Sequence, residues 1–159
     1  MTYVFDSGPL IVLFGRYYRG RFPSLWDRFD LLVEEGRITS VREVKNELLA
    51  QDDDLNQWCR SNPELFVVPN HKELQFVGQI FSVKNGHFQS LIKKQDQMRG
   101  RPVADPFVIA RAARGVENSC VVTLEAYKEN AAKIPNVCKY FKVDCMNLEQ
   151  FMETENWRF

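Results

Sequence analysis

The sequence lacks the features that mark several common protein classes. No apolar run is long enough to span a bilayer, and no basic leader precedes an apolar stretch, so we expect a cytoplasmic protein without a membrane segment. The four cysteines form no CxxC pair and have no spacing typical of a zinc site. Charge of one sign is not in excess either, because 21 basic residues balance 21 acidic ones. Total charge therefore argues neither for nor against a nucleic-acid partner.

What is present is the composition of an ordinary globular domain. The chain has 159 residues, 45% of them hydrophobic, which is enough for one domain over residues 1–159 with a sizeable core. Apolar runs predict strands that alternate with amphipathic patterns typical of helices. This alternation predicts an α/β fold with a central, mostly parallel sheet flanked by helices. The predicted strands are 2–5, 37–40, an extended stretch at 65–68, 119–124 and a short strand within 138–148; the predicted helices are 8–18, 24–36, 41–50, 52–62, 71–83, 86–98, 105–115 and 148–155.

Acidic residues stand at the ends of several of these elements. Asp6 and Glu125 each follow a predicted strand, and Asp105 opens a predicted helix as its N-cap. Glu43 and Glu47 lie one turn apart on the same face of another helix. Because the carboxyl ends of parallel strands meet at one edge of the sheet, these elements can bring their carboxylates together there.

A cluster of carboxylates predicts a divalent cation and phosphate chemistry. Carboxylates held close together repel one another, and a hard ion such as Mg²⁺ supplies the opposing charge. Such an ion makes a bound water easier to deprotonate and stabilises charge on a phosphoryl group. Acids without histidine ligands or a nucleophilic cysteine are typical of metal-assisted phosphodiester hydrolysis.

Each acid alone also has a simpler structural interpretation. Asp6 and Asp105 could cap the helices that follow them. Glu43 and Glu47 could be solvated helix residues, and Glu125 could lie on a surface loop. Only the order and placement of the whole set favour a functional site.

Four segments of the chain together resemble a PIN domain. They are YVFDSGPLI, ITSVREVKNELL, VADPFVIARAA and VVTLE, and the tail KIPNVCKYFKVDCMNLEQFM is similar to a less-studied branch of VapC-like toxins. The resemblance covers essentially the whole chain and implies a three-layer PIN-like fold.

The resemblance also implies roles for individual residues. Asp6 matches the first acid of the family and Ser7 the hydroxyl beside it; Asp105 matches the third acid. Glu47, followed by leucine, best matches the second acid, with Glu43 as the rival. These residues, with the one discussed next, would be catalytic and would bind Mg²⁺ or Mn²⁺.

The fourth acid departs from the family pattern. Glu125 stands where the family usually has aspartate, and its extra methylene makes a strict two-metal geometry less secure. Thr123 matches a family threonine. It is most simply a buried strand residue, although its hydroxyl could reach toward the acids.

The resemblance implies the toxin of a toxin–antitoxin pair, an endoribonuclease held inactive by an antitoxin protein; a homodimer is left open. Two alternatives remain. One is a PIN-like binding module without catalysis. The other is a phosphatase with Asp6 as nucleophile, which usually needs a second aspartate two residues later, where Gly8 stands.

Two basic clusters could bind RNA phosphates. The first, RYYRGR at 16–21, interleaves Arg16 and Arg19 with tyrosines that could stack on unpaired bases. The second, KKQDQMRGR at 93–101, leads directly toward Asp105. A solvated face or turn is the simpler interpretation of either cluster. The cations proposed for the second are Lys93, Lys94, Arg99 and Arg101.

Overall fold

The fold is built around a sheet whose first strand in sequence is central in space. The computed structural model describes residues 1–50, 54–83, 87–88 and 103–159. Its five strands follow the order β3-β2-β1-β4-β5, and each neighbouring pair is parallel. The predicted α/β fold with a central parallel sheet is therefore confirmed. The strands are β1 Thr2–Phe5, β2 Ile38–Val41, β3 Phe66–Val67, β4 Ser119–Val122 and β5 Cys145–Met146.

Helices connect the strands and cover the sheet. In the described ranges, none of them is long and apolar enough to cross a membrane. They are α1 Ser7–Arg16, α2 Pro23–Glu34, α3 Arg42–Leu48, α4 Asp54–Ser61, α5 His71–Phe81, α6 Asp105–Ala110, α7 Ile134–Phe141 and α8 Leu148–Thr154, with a 3₁₀ turn at Pro63–Leu65 and a π-helical turn at Arg111–Gly115.

The central position of β1 explains its sequence. Tyr3, Val4 and Phe5 are fully buried, because a strand with neighbours on both sides and helices on both faces has no solvent face. The register pairs Phe5 with Val122 of β4. Residues that follow these two strands are therefore neighbours at one edge of the sheet.

Amphipathic patterning places α2 as predicted. Leu25, Trp26, Phe29 and Leu32 are buried, which are the positions that helical spacing puts on one face. Gly36 follows the helix with φ +69°, a left-handed conformation that glycine adopts without steric cost.

A buried ion pair joins α5 to the π-helical turn. Arg111 Nη1 lies 3.3 Å from Glu73 Oε1, and the Glu73 side chain is only 1% exposed. Gly115 packs directly against this pair. A Cβ atom at Gly115 would lie 2.8 Å from Arg111 Nη1 and closer still to Glu73 Oε1, so the ion pair leaves no room for a side chain there.

The structure corrects two predicted details. Asp105 is the first residue of α6 rather than its N-cap, which is Ala104. The helix predicted over 105–115 changes from α to π geometry at Arg111. The short strand predicted within 138–148 is confirmed at Cys145–Met146, and the residues of that range up to Phe141 belong to α7. Most of the helix predicted at 86–98 lies outside the described residues.

Candidate active site

Asp6 lies at the carboxyl end of β1 and begins the site. It is the N-cap of α1, and its Oδ1 accepts a hydrogen bond from the Ser7 backbone N–H at 2.8 Å. Its Oδ2 accepts one from the Thr123 hydroxyl at 3.0 Å. Only 7% of Asp6 is exposed. Asp6 therefore caps a helix, as the simpler interpretation has it, and its carboxylate is also held in a fixed orientation at the sheet edge.

Thr123 connects two of the candidate acids. It follows β4, is 1% exposed, and its hydroxyl accepts a hydrogen bond from the Glu125 backbone N–H at 3.2 Å while donating to Asp6. The Thr123 backbone N–H donates to the Met146 carbonyl at 3.0 Å. The threonine is thus a strand-end residue whose hydroxyl orients an acid.

The two glutamates of α3 have different surroundings. Glu47 Oε1 accepts a hydrogen bond from the Ala104 N–H at 3.3 Å, next to Asp105. Glu43 is 2% exposed, and its Oε1 is paired with Arg42 Nη2 at 2.8 Å. Its Oε2 has no hydrogen-bond partner in the part of the chain that the structure describes. Glu47 therefore contacts the segment that carries Asp105, and its charge acts on both Asp6 and Asp105.

Glu125 makes a contact that the sequence did not suggest. Its Oε2 accepts a hydrogen bond from the backbone N–H of Ile134, the first residue of α7, at 2.8 Å. The contact satisfies one of the N–H groups that have no partner within a helix. One oxygen of the Glu125 side chain is therefore engaged in a hydrogen bond within the protein, to the start of α7.

The charges of these residues act on one another. Burial, followed by the charges of Asp6, Glu125 and Glu47, raises the pKa of Asp105 from 3.8 to about 8. Burial is likewise the largest cause that raises the pKa of Asp6 to about 6; two hydrogen bonds oppose it, and the charges of Glu47 and Glu125 add to it. Carboxylates from four separate parts of the sequence thus share one electrostatic environment.

This environment suits a hydrated cation better than a closed set of ligands. The donors are hard carboxylate oxygens, and the charges of Glu47 and Glu125 add to the burial that raises the pKa values of Asp6 and Asp105, a repulsion that a cation would relieve. Within the described residues, no group of three His, Cys, Asp or Glu side chains is arranged to hold an ion as it stands. Mg²⁺ commonly binds through one or two carboxylates and keeps several waters, and the site fits that mode.

The two proposed RNA-binding cations that the structure describes do not join this cluster. The Arg19 guanidinium donates hydrogen bonds to both carboxylate oxygens of Asp30, at 2.7 and 3.1 Å, and lies 4.2 Å from the Trp26 ring centroid. Its charge is therefore already paired within the protein. Arg16 is exposed at the far end of α1, about 15 Å along the helix from Asp6. The second cluster, with Lys93, Lys94, Arg99 and Arg101, lies outside the described residues.

Sequence reasoning did not single out Asn136, which is hydrogen-bonded to the segment that follows Glu125. Its side chain donates to the Lys128 carbonyl at 2.6 Å and accepts from the Lys128 N–H at 3.3 Å. Together with the Glu125 contact to α7, this holds the segment between β4 and α7 in place. Asparagine in such a segment resembles any loop asparagine, so the sequence carries no signal of the role.

Comparisons with known proteins agree with the fold. A family model described as "Domain of unknown function (DUF4411)" matches residues 3–159. A chain in the structure of VapBC-1 from nontypeable Haemophilus influenzae is 17% identical, with a TM-score of 0.51, covering 92% of this chain and 98% of that one. At this identity the likeness supports a PIN-like fold and nothing finer. No curated protein sequence matches the chain.

Proposed function

The chain belongs to the DUF4411 family, a domain of unknown function, and from its acidic site we propose that it is a divalent-metal-dependent endoribonuclease. The observation that carries this proposal is the shared electrostatic environment of Asp6, Glu47, Asp105 and Glu125 at the carboxyl edge of the sheet. In open α/β sheets this edge is where ligands bind. A partly buried cluster of like charges weakens the fold, and the binding of a cation would compensate for this cost.

The side chains divide the work according to how they are held. Asp6, whose two oxygens are oriented by Ser7 and Thr123, and Asp105 would hold Mg²⁺ or Mn²⁺. Glu47 and Glu125, each with one oxygen in a hydrogen bond to backbone, would bind waters of the ion. When bound, the ion supplies an activated water and neutralises charge on the phosphodiester.

We also propose that the protein is the toxin of a toxin–antitoxin pair in the cytoplasm, inhibited by a cognate antitoxin protein. Support comes from the resemblance to VapC-like toxins and from the structural likeness to a chain of VapBC-1. Coexpression with a candidate antitoxin, followed by copurification, tests the partner. A sizing experiment on the protein alone tests whether it forms a homodimer.

A cleavage assay tests the enzymatic proposal. Single-turnover cleavage of RNA is measured in Mg²⁺, in Mn²⁺ and in chelator, for the wild type, Asp6→Asn and the exposed control Asp27→Asn. We expect cleavage only with metal, a rate at least about 100-fold lower for Asp6→Asn, and no change for the control. Equal rates for Asp6→Asn and wild type would contradict the proposal.

A non-catalytic binding module is the second candidate, and two observations favour it. No three described acids form a closed ligand set, and Glu125 is engaged with α7. For such a module, no metal would support cleavage by the wild type, whereas a partner protein would still bind. The same assay therefore separates the two candidates.

A further inference from the structure

An open cavity of about 560 Å³ adjoins Glu125, between the segment that follows β4, helix α7 and the turn from β5 into α8. We propose that this cavity binds one unpaired nucleotide of the RNA, next to the site of cleavage. The inference rests on the proposed ribonuclease function and names a position where its substrate is held. The volume lies within the range of about 300–1,000 Å³ that is usual for ligand pockets.

Tyr127 and Lys139 offer a ring face and a positive charge side by side. Both line the cavity. Tyr127 is 51% exposed, and Lys139 Nζ lies 4.8 Å from its ring centroid. Unpaired bases stack on exposed aromatic rings, and lysine binds phosphate. A nucleotide can therefore stack its base on the free part of the Tyr127 ring while its phosphate meets Lys139.

Two side-chain amides also line the cavity. Asn147 and Gln150 form a capping box at the start of α8. Asn147 Oδ1 accepts from the Gln150 N–H at 2.8 Å, and Gln150 Oε1 accepts from the Asn147 N–H at 2.9 Å. Both carbonyl oxygens are thus used, and the two NH₂ groups remain as donors. Such donors suit the carbonyl oxygens and ring nitrogens on the edge of a base.

The segment that carries Tyr127 is held on both sides. Glu125 is bonded to α7 at 2.8 Å, and Lys128 is bonded through both its N–H and its carbonyl to Asn136. Ligand binding then costs little conformational entropy, because the loop is already ordered. The Glu125 contact also fixes the distance between the cavity and the acids.

The charge of the cavity limits the ligand. Asp144 and Glu125 line it together with Lys139, so a ligand with several negative charges, such as a nucleoside triphosphate, is repelled. A nucleotide within a chain carries one negative charge per phosphate. The cavity therefore favours a nucleotide of a single strand over a free polyphosphate.

The test is the binding of a fluorescently labelled single-stranded RNA of about eight nucleotides. Binding is measured by anisotropy in Mg²⁺, with Asp6→Asn present throughout to prevent cleavage. Adding Tyr127→Ala should raise Kd by about 5- to 150-fold, whereas Tyr127→Phe should leave it unchanged. Tyr140→Ala is the matched control, because Tyr140 is 53% exposed on α7 and lies outside the cavity lining.

A second variant tests the lysine by a different measurement. Lys139→Gln should reduce the slope of log K against log salt concentration by about 0.7, the value for one phosphate contact to a single strand. Thermal melts of every variant exclude unfolding as the cause.

Two results would overturn the proposal, and they differ in what else they overturn. If the wild type cleaves RNA but Tyr127→Ala binds it as tightly as its parent, the subsite is wrong and the ribonuclease stands. If the wild type neither cleaves nor binds RNA in Mg²⁺ or Mn²⁺, both fail.

Discussion

Replacing Asp105 with asparagine should stabilise the metal-free protein, increasingly so as the pH rises. The pKa of Asp105 is raised from 3.8 to about 8 in the folded protein. Between these values the folded state retains a proton that the unfolded state has released. The free energy of unfolding therefore falls as the pH rises, by up to about 1.36 kcal/mol per pH unit. Below pH 3.8 the group contributes nothing, and above about pH 8 the loss is complete.

The size of the effect follows from that interval. From pH 3.8 to pH 7 the wild type loses on the order of 4 kcal/mol through this one carboxyl. Asparagine has nearly the same shape and no charge, so the variant avoids this loss.

Urea unfolding in a chelating buffer measures the difference, at about pH 5 and again at about pH 8. The wild type, Asp105→Asn and the exposed control Asp27→Asn are compared. The advantage of Asp105→Asn should be small at the lower pH and several-fold larger at the higher pH, while the control follows the wild type. Adding Mn²⁺ should stabilise the wild type more than the variant. An advantage that is equal at both pH values, or a less stable variant at about pH 8, would refute the reasoning.

Three further tests, each by substitution, address separate parts of the structure. In single-turnover assays, Glu47→Gln should lower the cleavage rate at least about 100-fold, and Glu43→Gln should lower it less. The reverse ranking would show that Glu43, one helical turn earlier, is the second acid. Glu125→Asp should retain cleavage but lose the bond that caps α7, lowering stability in thermal melts by about 1 kcal/mol. Gly115→Ala should cost about 1–3 kcal/mol in urea unfolding because its Cβ meets the buried ion pair, whereas Gly78→Ala, with open space around it, should not destabilise.

The sequence predicted the elements that depend on local patterns. The buried run of β1 and the amphipathic face of α2 each lie within one short segment, so periodicity is sufficient to find them. The short strand predicted within 138–148 could not be located more finely, because CKYF is also rich in residues that favour strands. Pro135, the second residue of α7, was the overlooked signal of a helix start.

Contacts between distant residues could not be predicted in the same way. Thr123 donates to Asp6 across 117 positions, and Glu125 reaches Ile134 through a side chain whose rotamer no local pattern sets. The alternation of elements gave the correct edge of the sheet for the acids. It could not show which glutamate of α3 would lie beside Asp105, because Glu43 and Glu47 share one helix face.

The central position of β1 also orders events during synthesis. This strand is made first, yet its pairing with β4 must wait for residues 119–122. A ribosome-bound chain that ends before β4 has an open strand edge at the centre of its sheet, and Asp6 lacks its Thr123 partner. Such long-range pairing makes folding slow compared with helical proteins. The acidic cluster is therefore completed only after residues 119–125 have been made, and fragments that end before β4 contain Asp6, Glu47 and Asp105 but lack Glu125 and Thr123.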